Sequence, residues 1–269
     1  MSLIVAILLG VVQGLTEFIP ISSDGHLILV PWALGVQTPT LAFSVALHIG
    51  TLAGVIAALR PEVRLVLRTL TGWGRASERD RLLVRLLVIG SIPAAIVGLA
   101  LKGFVSDIQR PVPAAAFLIL TGFILTSTET KLAEAQEEPR RASITTPDGW
   151  KMGIAQAFAI LPGISRSGMT IAAGVRAGLS REAAARFSFL MSIPVIIGAV
   201  LVEIPDALEQ GALKDEALTF GVGIAVAAAS GFWALRWFLG IIGRTGLRPF
   251  GRYCWIAGLL LLFVATARA

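Results

Sequence analysis

Six stretches of this sequence, residues 41–60, 82–102, 113–128, 187–204, 218–239 and 253–268, are apolar enough to lie in hydrocarbon. With modest extension at their ends, each reaches the roughly 20 helical residues needed to cross about 30 Å of bilayer core. A chain with that pattern cannot hide its apolar surface in one soluble core. Its mean hydropathy of +0.80, with 55% hydrophobic and 15% charged residues among 269, lies outside the range of water-soluble domains. Every backbone polar group in lipid needs an internal partner, so such spans are helical. The sequence predicts an all-α polytopic membrane protein.

Two further apolar stretches, about 3–34 and 150–179, are broken by proline, glycine and polar residues. The first holds Gln13-Gly-Leu-Thr-Glu-Phe-Ile-Pro-Ile-Ser-Ser-Asp-Gly-His26, a polar island between hydrophobic flanks. Polar groups at membrane depth are costly and mark functional sites. Gln13 and Glu17 are four residues apart and share a helix face. Pro20 then ends that helix, because it has no N–H and restricts the residue before it. Ser22 and Ser23 fall at the break, Gly25 allows a tight turn, and His26 follows. Helix, break, helix at this depth is tolerated where it lines a cavity or is buried in protein. Both stretches are therefore expected to be re-entrant helical hairpins.

The second hairpin contains Gln156-Ala-Phe-Ala-Ile-Leu-Pro162-Gly-Ile-Ser-Arg-Ser-Gly-Met-Thr170, a weaker echo of the first. Phe187-Ser188 likewise echoes Phe43-Ser44, and the segment from Cys254 echoes the one from Ala116. The chain thus divides into two repeats, 1–130 and 145–269, each with one hairpin and three crossings. An odd number of crossings inverts the second repeat, so the hairpins enter from opposite sides and their tips can meet near the midplane. The connection 60–81 carries Arg60, Arg64, Arg68, Arg75, Arg79 and Arg81, which places it in the cytoplasm. Counting crossings puts 103–112 and 205–217 outside and 129–149, with Lys131, Arg140 and Arg141, inside. The net charge of +6 is explained by this topology, so no nucleic-acid partner is expected. The opening segment lacks the basic start and small-residue site of a cleavable signal. A single cysteine, Cys254, excludes an internal disulfide.

The chemistry follows from the two breaks. Small residues, hydroxyls and Arg166 at a helix start make an anion cradle, with free N–H groups and the positive dipole end facing the ligand. Arg166 can add a bidentate grip on phosphate. The first hairpin offers Gln13 and Glu17 as oxygen ligands for a divalent cation, Ser22 or Ser23 as nucleophile, and His26 to move a proton. That set suits phosphoryl transfer, where positioning and charge neutralisation carry most of the catalysis.

The motifs at 13–26 and 162–170 resemble the two signatures of the undecaprenyl-diphosphate phosphatases of the bacitracin-resistance type, and length, hydropathy and duplication extend the resemblance over the whole chain. It implies an enzyme that removes one phosphate from a C55 polyprenyl diphosphate, stimulated by Mg2+ or Ca2+. The site would open to the outer face of the bacterial cytoplasmic membrane. By motif position, Gln13 and Glu17 match the acidic pair, Ser22 and Ser23 the paired serines with Ser23 the favoured nucleophile, and His26 the motif histidine. Ser165, Arg166, Ser167 and Thr170 match the phosphate-binding motif. One departure is Asp24, where the family often has threonine; an extra carboxylate there can strengthen a metal site or repel the diphosphate.

Blander roles compete for some of these residues. His48, alone in an apolar crossing, is expected to be a packing or interhelical hydrogen-bonding residue. Trp32, Trp73, Trp150, Trp233, Trp237, Trp255 and Tyr253 lie near span ends and are expected to be interfacial anchors. A transporter or lipid flippase would share inverted repeats and broken helices, but leaves the paired serines beside Glu17, His26 and Arg166 without a purpose. The phospho-histidine design of membrane phosphatase needs two catalytic histidines, one shortly after a Ser-Arg pair, and none follows Ser165-Arg166. A homodimer is compatible with the sequence.

Overall fold

The computed structural model describes residues 1–134, 141–209 and 216–267. Arg140, used above for the 129–149 loop, and Lys214 and Asp215 of the 205–217 loop lie outside the described residues. The eleven α-helices among the described residues are α1 (Leu3–Phe18), α2 (Ser23–Leu34), α3 (Leu41–Ala58), α4 (Arg60–Thr71), α5 (Glu78–Asp107), α6 (Pro111–Glu134), α7 (Thr146–Phe158), α8 (Arg166–Arg176), α9 (Arg181–Glu209), α10 (Ala217–Thr245) and α11 (Arg248–Ala267). Six of them, α3, α5, α6, α9, α10 and α11, are long and apolar enough to cross a membrane.

Apart from α3, which ends at Ala58, the spans run past an expected bound, and in α9 the added polar residues find partners. At the start of α9, Arg181 donates to both Glu129 carboxylate oxygens, at 3.0 and 2.6 Å. Arg186 reaches Glu62 at 2.7 Å. The basic connection 60–81 also holds a helix, α4. Val63 and Val66 turn toward the core while Arg60, Arg64 and Arg68 stay exposed. Arginine is a good helix former, so a charge-rich stretch with two inward valines folds as readily as an apolar one.

Helix termini are set by local chemistry. The Thr40 hydroxyl accepts from Phe43 N at 3.2 Å to start α3, and Asp148 accepts from Thr145 N at 2.9 Å to start α7. Such caps satisfy N–H groups that the first turn leaves open.

Lipid offers little drive for helices to associate, so close approach of small residues supplies it. Along α1, Gly10 abuts Gly223 and Gly14 abuts Ala227 and Gly231 of α10, so the two helices run parallel. Along α7, Gly149 abuts Leu86 and Gly153 abuts Gly90 of α5, again in parallel. By contrast α6 and α11 run antiparallel, Gly122 against Gly251 and Gly258 against Ala115. Leu41 and Val45 at the start of α3 cluster with Val200 and Ile204 late in α9. Phe18, Phe189, Phe238 and Phe250 form a chain of ring contacts with centroids 5.3 to 5.8 Å apart, which seats the end of α1 on α9 and α10.

Candidate active site

The site begins where α1 stops. Pro20 drives Ile19 into extended backbone, φ −66° and ψ 133°, as expected of a residue before proline. Ser22 then adopts φ 71° and ψ 98°, the only positive φ outside glycine among the described residues. Such a conformation costs about 1–3 kcal/mol and clusters at functional sites. Its hydroxyl accepts from Gly25 N at 3.3 Å and starts α2. Ser23 is thereby turned toward α1, where its Oγ donates to Glu17 Oε2 at 2.6 Å. Gln13, one turn earlier on the same face, donates from Nε2 to the same oxygen at 3.1 Å.

The second break joins α7 to α8. Gly163 takes φ +103°, open to glycine without penalty, and its carbonyl accepts from Thr121 Oγ1 at 2.9 Å. Thr121 in turn accepts from Ser165 N at 3.1 Å, so one hydroxyl on α6 fixes both ends of the turn. The Ser165 hydroxyl caps α8 through Gly168 N at 3.1 Å and lies 3.2 Å from Ser167 Oγ. The breaks touch: a Cβ placed on Gly25 would lie 3.0 Å from Gly163 Cα.

Across that contact Arg166, the first residue of α8, donates from Nη2 to Glu17 Oε1 at 2.9 Å. Ser23 and Arg166, 143 positions apart in the chain, therefore meet on one buried carboxylate. A short O–H to carboxylate bond is charge-assisted, and it places Glu17 where it could receive a proton from Ser23 Oγ. Two atoms in this cluster are buried without partners: Gln13 Oε1, an acceptor, and Arg166 Nη1, a donor. A buried polar atom without a bond costs about 1–3 kcal/mol and calls for a ligand or water. A phosphate oxygen would satisfy the guanidinium, and a cation would satisfy the amide oxygen.

Gln13 Oε1, the Glu17 carboxylate and the half-exposed Asp24 are hard oxygen donors of the kind Mg2+ and Ca2+ take. Among the described residues no three His, Cys, Asp or Glu side chains are set to hold a metal on their own. Such a set would suit a cation that completes its shell with oxygens from a bound anion, as is usual for Mg2+.

Other expected residues stand differently. Thr170 is fully buried, and its hydroxyl lies 2.9 Å from Arg166 O and 2.6 Å from Ser188 Oγ. It secures α8 to α9. The two nitrogens of His26 are both engaged away from Glu17: Nδ1 lies 2.7 Å from Ser22 O and Nε2 lies 2.8 Å from the Tyr253 hydroxyl. Tyr253, expected only as an interfacial anchor, is thus part of the support around the break.

The residue missed from sequence is His48. Its Nδ1 donates to Ser44 O at 2.8 Å. This turns Nε2 toward the cluster, 3.7 Å from Asp24 Oδ1 and 4.0 Å from Glu17 Oε2. Its role is an interhelical one: tertiary contact between α3 and the first break makes His48 a neighbour of the carboxylates.

A family model described as bacitracin resistance protein BacA matches residues 6–260. The chain is 39% identical over 266 residues to an undecaprenyl-diphosphatase of Halothermothrix orenii, covering 98% of this chain and 99% of that protein. It is 40% identical over 265 residues to undecaprenyl-diphosphatase 2 of Stutzerimonas stutzeri, covering 97% and 98%. A match of this extent shows that the chain belongs to the bacitracin resistance protein BacA family.

Proposed function

We propose that this protein hydrolyses undecaprenyl diphosphate to undecaprenyl phosphate and inorganic phosphate, returning the lipid carrier to cell-wall synthesis and so conferring bacitracin resistance. The observation that carries the mechanism is the shared Glu17 carboxylate, with Ser23 Oγ at 2.6 Å on one oxygen and Arg166 Nη2 at 2.9 Å on the other. Ser23 Oγ attacks the terminal phosphorus while Glu17 takes its proton. The bridging P–O bond breaks, undecaprenyl phosphate leaves with the electron pair, and a phosphoserine remains. Glu17 passes that proton to the departing undecaprenyl phosphate and is a carboxylate again. It can then take a proton from water as water attacks the phosphoserine phosphorus, and it hands this proton to Ser23 Oγ. Inorganic phosphate departs and Ser23 recovers its hydrogen.

Arg166 swings its open Nη1, and the first N–H groups of α8 their dipole end, onto the phosphoryl oxygens. Ser22, Ser165 and Ser167 shape the cradle around them. Gln13 and Glu17, with Asp24, would hold a Mg2+ or Ca2+, which supplies charge neutralisation at the diphosphate.

The membrane placement follows from the helix directions. With 60–81 inside, α10 runs inward and α5 outward. Because α1 parallels α10 and α7 parallels α5, the first hairpin enters from outside and the second from inside. The antiparallel α6–α11 and α3–α9 pairs are what a two-fold axis in the membrane plane generates, which supports two inverted repeats. The site is then reached from the outer face of the cytoplasmic membrane. Phosphate release from undecaprenyl diphosphate in detergent tests the reading: Ser23→Ala should abolish it in a folded protein, and turnover near wild type would remove Ser23 from the mechanism.

A further inference from the structure

We propose that Tyr253 is a positioning residue for this reaction, acting through His26 to hold the peptide that presents Ser23 to Glu17. The Ser22 carbonyl belongs to the peptide bond leading into Ser23, and it receives two donors from one residue. His26 N–H reaches it at 3.2 Å and His26 Nδ1 at 2.7 Å. A carbonyl oxygen only accepts, so Nδ1 carries the ring hydrogen and Nε2 of the neutral ring is left as a lone pair. The Tyr253 hydroxyl donates to that lone pair at 2.8 Å. The two rings are stacked, with centroids 5.7 Å apart and planes within 12°.

This arrangement gives the tyrosine hydroxyl a specific task. Without a donor at Nε2, the ring is free to move its hydrogen there, and Nδ1 would then face the Ser22 carbonyl with a lone pair. The bond would be lost just where the backbone is least favourable, at the positive φ of Ser22. Ser23 follows directly, and its 2.6 Å bond to Glu17 needs that peptide plane held. Since both His26 nitrogens are occupied, the ring serves as a brace anchored on α11 and not as a proton carrier.

The inference rests on Ser23 as the attacking hydroxyl, and its test separates the two. Full-length protein carrying 15N-labelled histidine has only two such residues, and a His48→Gln variant assigns them by NMR. His26 should show hydrogen on Nδ1 and a hydrogen-bonded, unprotonated Nε2. In Tyr253→Phe, which keeps the stacked ring, the Nε2 signal should move toward that of free imidazole. At an unchanged melting temperature, kcat should fall about ten- to hundred-fold, the usual effect of a residue that orients a functional one, with KM within about two-fold. Adding Tyr253→Phe to His26→Ala should cost nothing further, because both lie on one path. A wild-type His26 with hydrogen on Nε2, turnover of Tyr253→Phe within about two-fold of wild type, or additive losses would overturn the proposal. If Ser23→Ala retains turnover, the mechanism fails while the histidine spectra still decide the brace.

Discussion

Replacing Arg166 separates what its guanidinium does for the fold from what it does for the reaction. One arm, Nη2, is committed to Glu17 at 2.9 Å, and the other, Nη1, is buried without a partner. Side-chain exposure is 15% for Arg166 and 5% for Glu17, so removing the arginine strands a nearly buried carboxylate. Breaking such a pair costs about 3–5 kcal/mol, and the residual exposure of Arg166 puts this case near the lower end. Arg166→Ala should therefore lose about 3 kcal/mol of stability together with all turnover. Adding Glu17→Gln removes the stranded charge and should restore most of the stability but none of the activity.

Arg166→Lys makes the sharper comparison. A single ammonium keeps the charge but cannot fork between Glu17 and a phosphate oxygen. It should melt close to wild type, while kcat falls about a hundred- to a thousand-fold, the size of one lost transition-state donor at about 2.7–4 kcal/mol. The assay is phosphate release from undecaprenyl diphosphate in detergent beside a tryptophan-fluorescence melt. A lysine variant with wild-type kcat, or an Arg166→Ala, Glu17→Gln double variant no more stable than Arg166→Ala, would refute this division of roles.

Two other substitutions probe the surroundings. Gln13→Ala removes the unpartnered Oε1, and the Mg2+ or Ca2+ concentration giving half-maximal turnover should rise about ten-fold or more; an unchanged titration, or turnover indifferent to chelator, would argue against a cation there. In the first turn of α7, burial works to raise the Asp148 carboxyl. Hydrogen bonds from Arg141 and Thr145 outweigh it and hold the group below the usual carboxylate range. A lowered folded-state pKa gives stability that is present above the unfolded value near pH 4. It is lost as the pH falls through the folded one, so Asp148→Asn should lower the melting point at pH 7 and flatten its fall in acid.

Much of this architecture is legible in the sequence, because a bilayer allows few solutions. Apolar runs announce the spans, and Pro20 ends α1 just beyond Phe18. Glu17, Ser23 and Arg166 stand out because hydrocarbon tolerates such groups only for a purpose. The α4 helix was hidden by its arginines, since only Val63 and Val66 carry its inward face. His48 was hidden for the opposite reason: one polar residue in an apolar span resembles a packing residue until α3 is docked beside Asp24 and Glu17. Tyr253 looked like an interface anchor because it lies near the end of a span, and nothing local to it reveals a hydroxyl bonded 227 positions away. Thr170 sits within the phosphate motif, yet its side chain is taken up by Ser188, a partner that only the packing of α8 on α9 supplies.

The attack by Ser23 is open to direct measurement. Rapid acid quenching of the enzyme with undecaprenyl diphosphate radiolabelled on the terminal phosphate, followed by peptide mapping, should find label on Ser23 in wild type and none in Ser23→Ala. Label on a different residue, or phosphate release by Ser23→Ala at the wild-type rate, would contradict the account.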